Sequence, residues 1–264
     1  WESLRLINSL VVALAVDQYG AVYAGTHGAV YRTTDAGEHW ARTGLGGISI
    51  VALGANQQGH LYAASAGARL FRSTDAGNNW TQLQVGCDTA AKIICFGPEG
   101  NIYLGTLGAG VLRSTDNGTT WSRTGLENVQ ALAVNSRGDT YAAGYAGVNR
   151  STNGGSSWFP CSLQANVEAL GVDSHDLVFA YSGVGLYRST DIGTSWVKVA
   201  SPTSGNERII SIATNGSALF AIVDGLGVYR SYDNGDTWNQ ASGGLHIGGL
   251  TCLTAGGSQL FAAN

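Results

Sequence analysis

Seven tryptophans spaced 37 to 42 residues apart, a polar nine-residue segment that ends on six of them, and short alternating apolar runs punctuated by glycine predict an all-β chain: a seven-bladed β-propeller of four-stranded antiparallel blades. The tryptophans stand at 1, 40, 80, 121, 158, 196 and 238. A period near 40 residues is one blade of such a ring. The polar segments are RTTDAGEHW (32–40), RSTDAGNNW (72–80), RSTDNGTTW (113–121), RSTNGGSSW (150–158), RSTDIGTSW (188–196) and RSYDNGDTW (230–238). A chain of 264 residues fits one closed β ring, so residues 1–264 are read as a single domain.

Each unit repeats the same order of elements. First come VVALAVD, IVALGAN, KIICFGP, VQALAVN, VEALGVD, IISIATN and LTCLTAG, the most apolar and small-residue-rich runs. They are placed innermost, where neighbouring blades crowd the axis and bulk is excluded. Tight turns such as QYG, QQG, PEG and SRG lead to a second strand rich in Tyr or Phe. A third, alternating strand ends in Arg-Ser or Arg-Thr, and the outer strand begins at Trp. Radial stacking buries both faces of each sheet and protects most edges. In the polar segment the Asp carboxylate accepts N–H groups of its own turn, and Gly takes the positive φ that closes it. The Trp then returns apolar surface to the blade, worth about 3–5 kcal/mol against Ala if well buried.

These segments resemble the Asp-box, or bacterial neuraminidase repeat, of form S/T-x-D-x-G-x-x-W, found in sialidases, xyloglucan-cleaving glycosidases, sortilin-type receptors and photosystem II assembly factors. The resemblance assigns structural roles to Asp35, Asp75, Asp116, Asn153, Asp191 and Asp233, and to Trp40, Trp80, Trp121, Trp158, Trp196 and Trp238. Asn153 stands in place of Asp and Tyr232 in place of Thr, which predicts looser corners there. The repeat names a fold and leaves the activity open.

Ring closure follows from register. Trp1 precedes Ala13 by the same 12 residues that separate Trp40 from Ala52, so it reads as the outer-strand Trp of the last blade. The final unit reaches Phe261. The seventh blade is therefore closed by both termini and lacks its third strand and box. A trimmed chain, a genuinely short blade, or strand donation from another chain each explains the gap.

Ligand chemistry is expected on the face that carries the second-to-third loops and the outer-to-inner connectors. That reading places His27, Arg69, Tyr145, Tyr181, Arg208, Asp224 and His246 as binding candidates, with Asp88 and Glu127 beside them. Glycosidic acid–base work needs two carboxyls about 5 Å or 6.5–9.5 Å apart; Asp88 with Asp224, or Glu127 with Asp224, are the pairs on offer. The sialidase likeness implies three clamping arginines. Arg32, Arg72, Arg113, Arg150, Arg188 and Arg230 all precede boxes at one register and read as structural, which leaves too few. The glycosidase likeness implies large aromatic insertions, yet every Trp falls in the box register.

Metal and cofactor motifs are not found: there is no HExxH, no GK[ST] loop and no GxSxG, so no metal and no cofactor are expected. The preferred reading is a binding or protein-interaction propeller, more likely not an enzyme, that presents its loop face to a protein, peptide or glycan. The alternatives are a glycoside hydrolase with paired loop-face carboxylates and a structural module of a larger secreted protein. A net charge of −4 argues against nucleic acid, and no apolar run is long enough for membrane insertion by a helix. Cys87, Cys95, Cys161 and Cys252 follow no metal or disulfide spacing. Few lysines and Ser/Thr/Asn-rich turns suggest a secreted or periplasmic bacterial protein.

Overall fold

The computed structural model describes residues 10–89, 91–203, 207–245, 248–256 and 259–263. Among them are six four-stranded antiparallel sheets and one two-stranded sheet, each with its strands in chain order. The apolar small-residue runs are the innermost strands: Val11–Val16, Ile50–Ala55, Ala91–Phe96, Val129–Val134, Val167–Val172, Ile209–Asn215 and Cys252–Gly256. Each packs beside the inner strand of the next sheet, and the last packs beside the first. The join is marked by the Thr251 hydroxyl, which donates to the Val11 carbonyl at 2.6 Å. The chain is thus an all-β propeller with one incomplete terminal sheet, Cys252–Gly256 with Gln259–Ala263. The role read for Trp1 falls outside the described residues.

Second strands are buried on both faces because a sheet lies on either side of them. Tyr23, Tyr62, Tyr103, Tyr141 and Phe179 occupy one register position and are at most 1 % exposed. Burial pushes the Tyr23, Tyr62 and Tyr141 hydroxyls up to about 12. Each hydroxyl still finds an acceptor: Asp17 Oδ2 at 3.0 Å, the Asn117 carbonyl at 3.3 Å and the Ile192 carbonyl at 3.4 Å. Phe179 has none to give, and the equivalent carboxylate oxygen, Asp173 Oδ2, is buried with no hydrogen-bond partner among the described residues.

The six box turns share one bonding scheme. The Ser or Thr hydroxyl donates to the Asp or Asn Oδ1 at 2.6–2.9 Å and accepts the Gly N–H at 2.7–2.9 Å. Oδ1 also accepts the N–H four residues on, at 2.8–3.0 Å. Neither expected loose corner is open: Asn153 keeps these bonds and donates through Nδ2 to Ser157, and Tyr232 points outward, 65 % exposed, without disturbing Ser231–Asp233. Each turn has two successive positive-φ residues, such as Ala76 (56°) with Gly77 (88°) and Ile192 (56°) with Gly193 (91°).

The box tryptophans are half-buried, less than the expected full burial, so the 3–5 kcal/mol figure is an upper bound. Trp80, Trp121, Trp158, Trp196 and Trp238 pack on the core clusters. Trp158 and Trp238 also donate across to the preceding sheet, to Thr124 Oγ1 and the Ala200 carbonyl. All four cysteines are free thiols, and burial pushes Cys95 up to about 12 and Cys161 and Cys252 up to about 11, which leaves these three as inert packing groups at neutral pH.

Candidate functional site

The loop-face end of the ring is shaped by one recurrent irregularity. In six sheets the ladder between inner and second strands skips a residue in the inner strand's first turn: Val12, Val51, Lys92, Gln130, Glu168 and Ile210. A bulge leaves its extra residue unpaired and re-aims it. Because the inner strands surround the axis and these positions lie at their connector ends, the six ring the mouth of the central channel. Of the six, Val51 and Ile210 pack on core clusters, while Lys92, Gln130 and Glu168, from three consecutive sheets, make a polar arc.

The polar arc is tied together across sheets. Gln130 Nε2 donates to Asn166 Oδ1 at 3.1 Å. Arg208, on the connector into the sixth sheet, donates through Nε and Nη2 to Glu168 Oε2 at 2.7 and 2.6 Å. The Glu168 side chain is 20 % exposed and that of Arg208 64 %, so the pair has one sheltered and one open partner. The Arg208 carbonyl in turn accepts the Asp224 N–H at 2.9 Å. Arg208 therefore meets Glu168 through its side chain and Asp224 through its backbone.

Of the residues singled out from sequence, Arg208 and Asp224 join this cluster. His27 lies exposed on the first sheet's loop with Nδ1 2.9 Å from Ser49 Oγ. Arg69 stacks its guanidinium over Phe71, 5.9 Å from the ring centroid. Tyr145 is 67 % exposed. Tyr181 is a correction: it is 6 % exposed, in the core between the fifth and sixth sheets. It fills the register place that Gly25, Ala64, Gly105 and Ala143 hold elsewhere, so its phenol serves packing. Asp88 and Glu127 are exposed connector residues, and among the described residues neither bonds to Asp224. His246 falls outside the described residues.

Two other features lie away from this mouth. Asp35, Glu38 and His39, exposed in the first box turn, bring one ligand atom each within 4.8 Å. Hydrogen bonds from Thr33 and His39 hold the Asp35 carboxyl below the usual range, and Asp35 raises His39, so the pair belongs to the box scheme. A groove of about 390 Å³ between the outer strand of the fourth sheet and the fifth box turn is lined by Phe159, Pro160, Cys161 and Ile192.

The family model for the BNR/Asp-box repeat matches residues 112–123. No curated protein is similar enough in sequence to match. Solved structures match in fold. A catalytically inactive H270A virginiamycin B lyase from Staphylococcus aureus with Quinupristin is 18 % identical over 98 % of this chain and 94 % of its own, with a TM-score of 0.82. A YCF48 bound to D1 peptide is 14 % identical over 99 % and 90 %, with a TM-score of 0.80. The GH74 xyloglucanase from Xanthomonas campestris is 19 % identical over 86 % of this chain but 46 % of its own, with a TM-score of 0.70.

These likenesses overturn the expectation that the chain is not an enzyme. That expectation rested on missing insertions and missing spare tryptophans. A lyase of nearly equal length has the same fold, so the missing insertions do not argue against catalysis. At such identities the likeness is one of fold, which enzymes and the peptide-bound YCF48 share.

Proposed function

The chain is an Asp-box β-propeller, and from that premise we propose that it works at the loop-face mouth of its channel, taking a polar chain ligand, a peptide or glycan, against the arc Lys92, Gln130, Asn166, Glu168 and Arg208. The observation that carries this reading is the Glu168–Arg208 pair with Asp224 bonded behind it. It is the point where adjoining sheets place opposite charges at an irregular, non-repeated position. An open guanidinium offers a fork of donors to a carboxylate or hydroxyl pair, and Gln130 and Lys92 extend the row.

The catalytic reading we put forward is glycoside cleavage by loop-face carboxylates. Glu168 and Asp224 are the two carboxylates we assign to that reaction. We further read residues 1–264 as one domain of seven blades, its last blade lacking a third strand, and as an extracytoplasmic protein.

The test is a titration of the purified chain against peptide and oligosaccharide panels with reducing-sugar release followed in parallel. Arg208→Gln is expected to weaken the best ligand at least about tenfold, and Glu168→Gln and Asp224→Asn to abolish any sugar release. Unchanged affinity in Arg208→Gln would move the site elsewhere.

A further inference from the structure

The turn joining the first and second strands of the fifth sheet lies on the face opposite the mouth, so its chemistry is separate from the site proposed above. It has an internal control in the first sheet. There Asp17 Oδ1 accepts the Tyr19 and Ala21 N–H groups at 2.9 and 3.0 Å, and Oδ2 accepts the Tyr23 hydroxyl at 3.0 Å. In the fifth sheet Asp173 Oδ1 accepts the His175 and Leu177 N–H groups, both at 2.9 Å, so the carboxylate is held in the same way. The residue in the place of Tyr23 is Phe179, and Asp173 Oδ2 has no hydrogen-bond partner among the described residues. The Asp173 side chain is 2 % exposed. A carboxylate oxygen so buried is costly to keep unless a cation or donor pairs with it.

An imidazole faces that oxygen. His175 Nδ1 lies 3.6 Å from Asp173 Oδ2, too far for a hydrogen bond, and its side chain is 67 % exposed, so the pair opens to solvent on one side. Zinc bonds imidazole nitrogen and carboxylate oxygen at about 2.0–2.2 Å, so one ion bonded to both atoms at this separation would subtend roughly 120°, near the tetrahedral range. The combination is not repeated. In the five turns of this length the first place reads Asp17, Asn56, Gly97, Asn135, Asp173, and the third reads Tyr19, Gln58, Glu99, Arg137, His175. Of these, only the fifth joins an acid, an imidazole two residues on and a second-strand ring without a hydroxyl. Arg188, whose counterpart Arg32 lies over Tyr23, donates to the Asn234 carbonyl at 2.8 Å and to Asp236 Oδ1 at 3.0 Å, and makes no bond to Asp173 Oδ2.

We propose that Asp173 Oδ2 and His175 Nδ1 bind one divalent transition-metal ion of the zinc, cobalt or nickel class, with water completing its coordination. A mixed imidazole and carboxylate set favours those ions over magnesium and calcium, which take oxygen ligands. The imidazole binds through Nδ1 with its proton on Nε2. The bond from the His175 N–H to Asp173 Oδ1 already holds both ligands on one turn. That turn is bonded on either side. Asp176 accepts the Ser136 hydroxyl at 3.0 Å and Arg137 Nε–H at 2.9 Å from the fourth sheet's turn, and the Ser174 N–H reaches the Gly216 carbonyl of the sixth at 3.5 Å. The ion therefore pins the middle of three linked turns, a structural role apart from the loop-face chemistry.

The probe is Zn²⁺ alone, titrated by calorimetry into the full chain, with Co²⁺ in parallel for its visible absorption. One saturable ion per chain is expected, with a Tm raised by Zn²⁺ and an intensified Co²⁺ band. His175→Ala and Asp173→Asn should each weaken binding at least about tenfold. Phe179→Tyr is the sharper variant. Its hydroxyl should occupy Asp173 Oδ2 as that of Tyr23 occupies Asp17, weakening the ion at least about tenfold while raising the Tm of the metal-free chain. His39→Ala, in the exposed cluster of the first box turn, should leave binding unchanged. No saturable binding, binding that survives both His175→Ala and Asp173→Asn, or binding lost in His39→Ala would each overturn the proposal.

Discussion

The two faces of the ring are built on opposite rules. On the box face the same hydroxyl, carboxylate and glycine bonds recur six times with distances agreeing within about 0.3 Å. On the loop face the bulge position is not repeated in this way: it reads Val12, Val51, Lys92, Gln130, Glu168, Ile210. The repeated face fixes the fold and is interchangeable between sheets. The unrepeated face is free to acquire chemistry, and there the Glu168–Arg208–Asp224 cluster is found.

The largest test of this contrast is acid. Hydrogen bonds from Thr120, Ser195 and Thr237 hold the Asp116, Asp191 and Asp233 carboxyls at about 2, against an ordinary 3.8. A carboxyl whose folded value lies below its unfolded value stabilises the fold above the unfolded value and loses that contribution as pH falls through the folded one. Thermal melts should therefore drop steeply between pH 4 and 2. Asp191→Asn should flatten the drop, while Arg208→Gln should leave it unchanged. An acid transition that follows the loop-face charges instead would break the contrast.

Next in size is a single box hydroxyl. Ser189→Ala removes the acceptor of the buried Gly193 N–H, 2.8 Å away, and is expected to cost about 1–3 kcal/mol by denaturant melting. Arg208→Gln, on a largely exposed pair, should cost about 0–1 kcal/mol. Equal losses would mean that the loop face holds the fold as firmly as the boxes do. The smallest effect has the opposite sign. Ile192 is a β-branched residue at φ 56°, where the third and sixth boxes have Asn117 and Asn234. Ile192→Asn should stabilise by about 1 kcal/mol, read as a raised midpoint.

The parts of the molecule legible in the sequence are those written several times. Period, box and inner strands were each readable because six or seven copies cancel the noise of any one. The misreadings fall at single positions. Tyr181 was placed on the loop face because it adjoins a second-to-third loop, yet sheets on both sides bury every residue of Val178–Ser182. Glu168 was passed over inside VEALGV, since a bulge leaves no mark in residue order. Its signal was faint but present: aligned, the second place of the inner strands is the one column where Lys, Gln and Glu interrupt apolar runs. The paired positive φ values of the boxes were half-seen, because Ala36, Ala76 and Ile192 give no hint of the left-handed backbone they adopt.

The Thr251–Val11 contact joins residues 240 apart, whereas the hairpins within each sheet join near neighbours in the chain. Such a span carries the largest loop-closure cost in the ring. The molecule resembles a bracelet with one clasp, where the two ends of the described chain meet, while every other joint lies between chain neighbours.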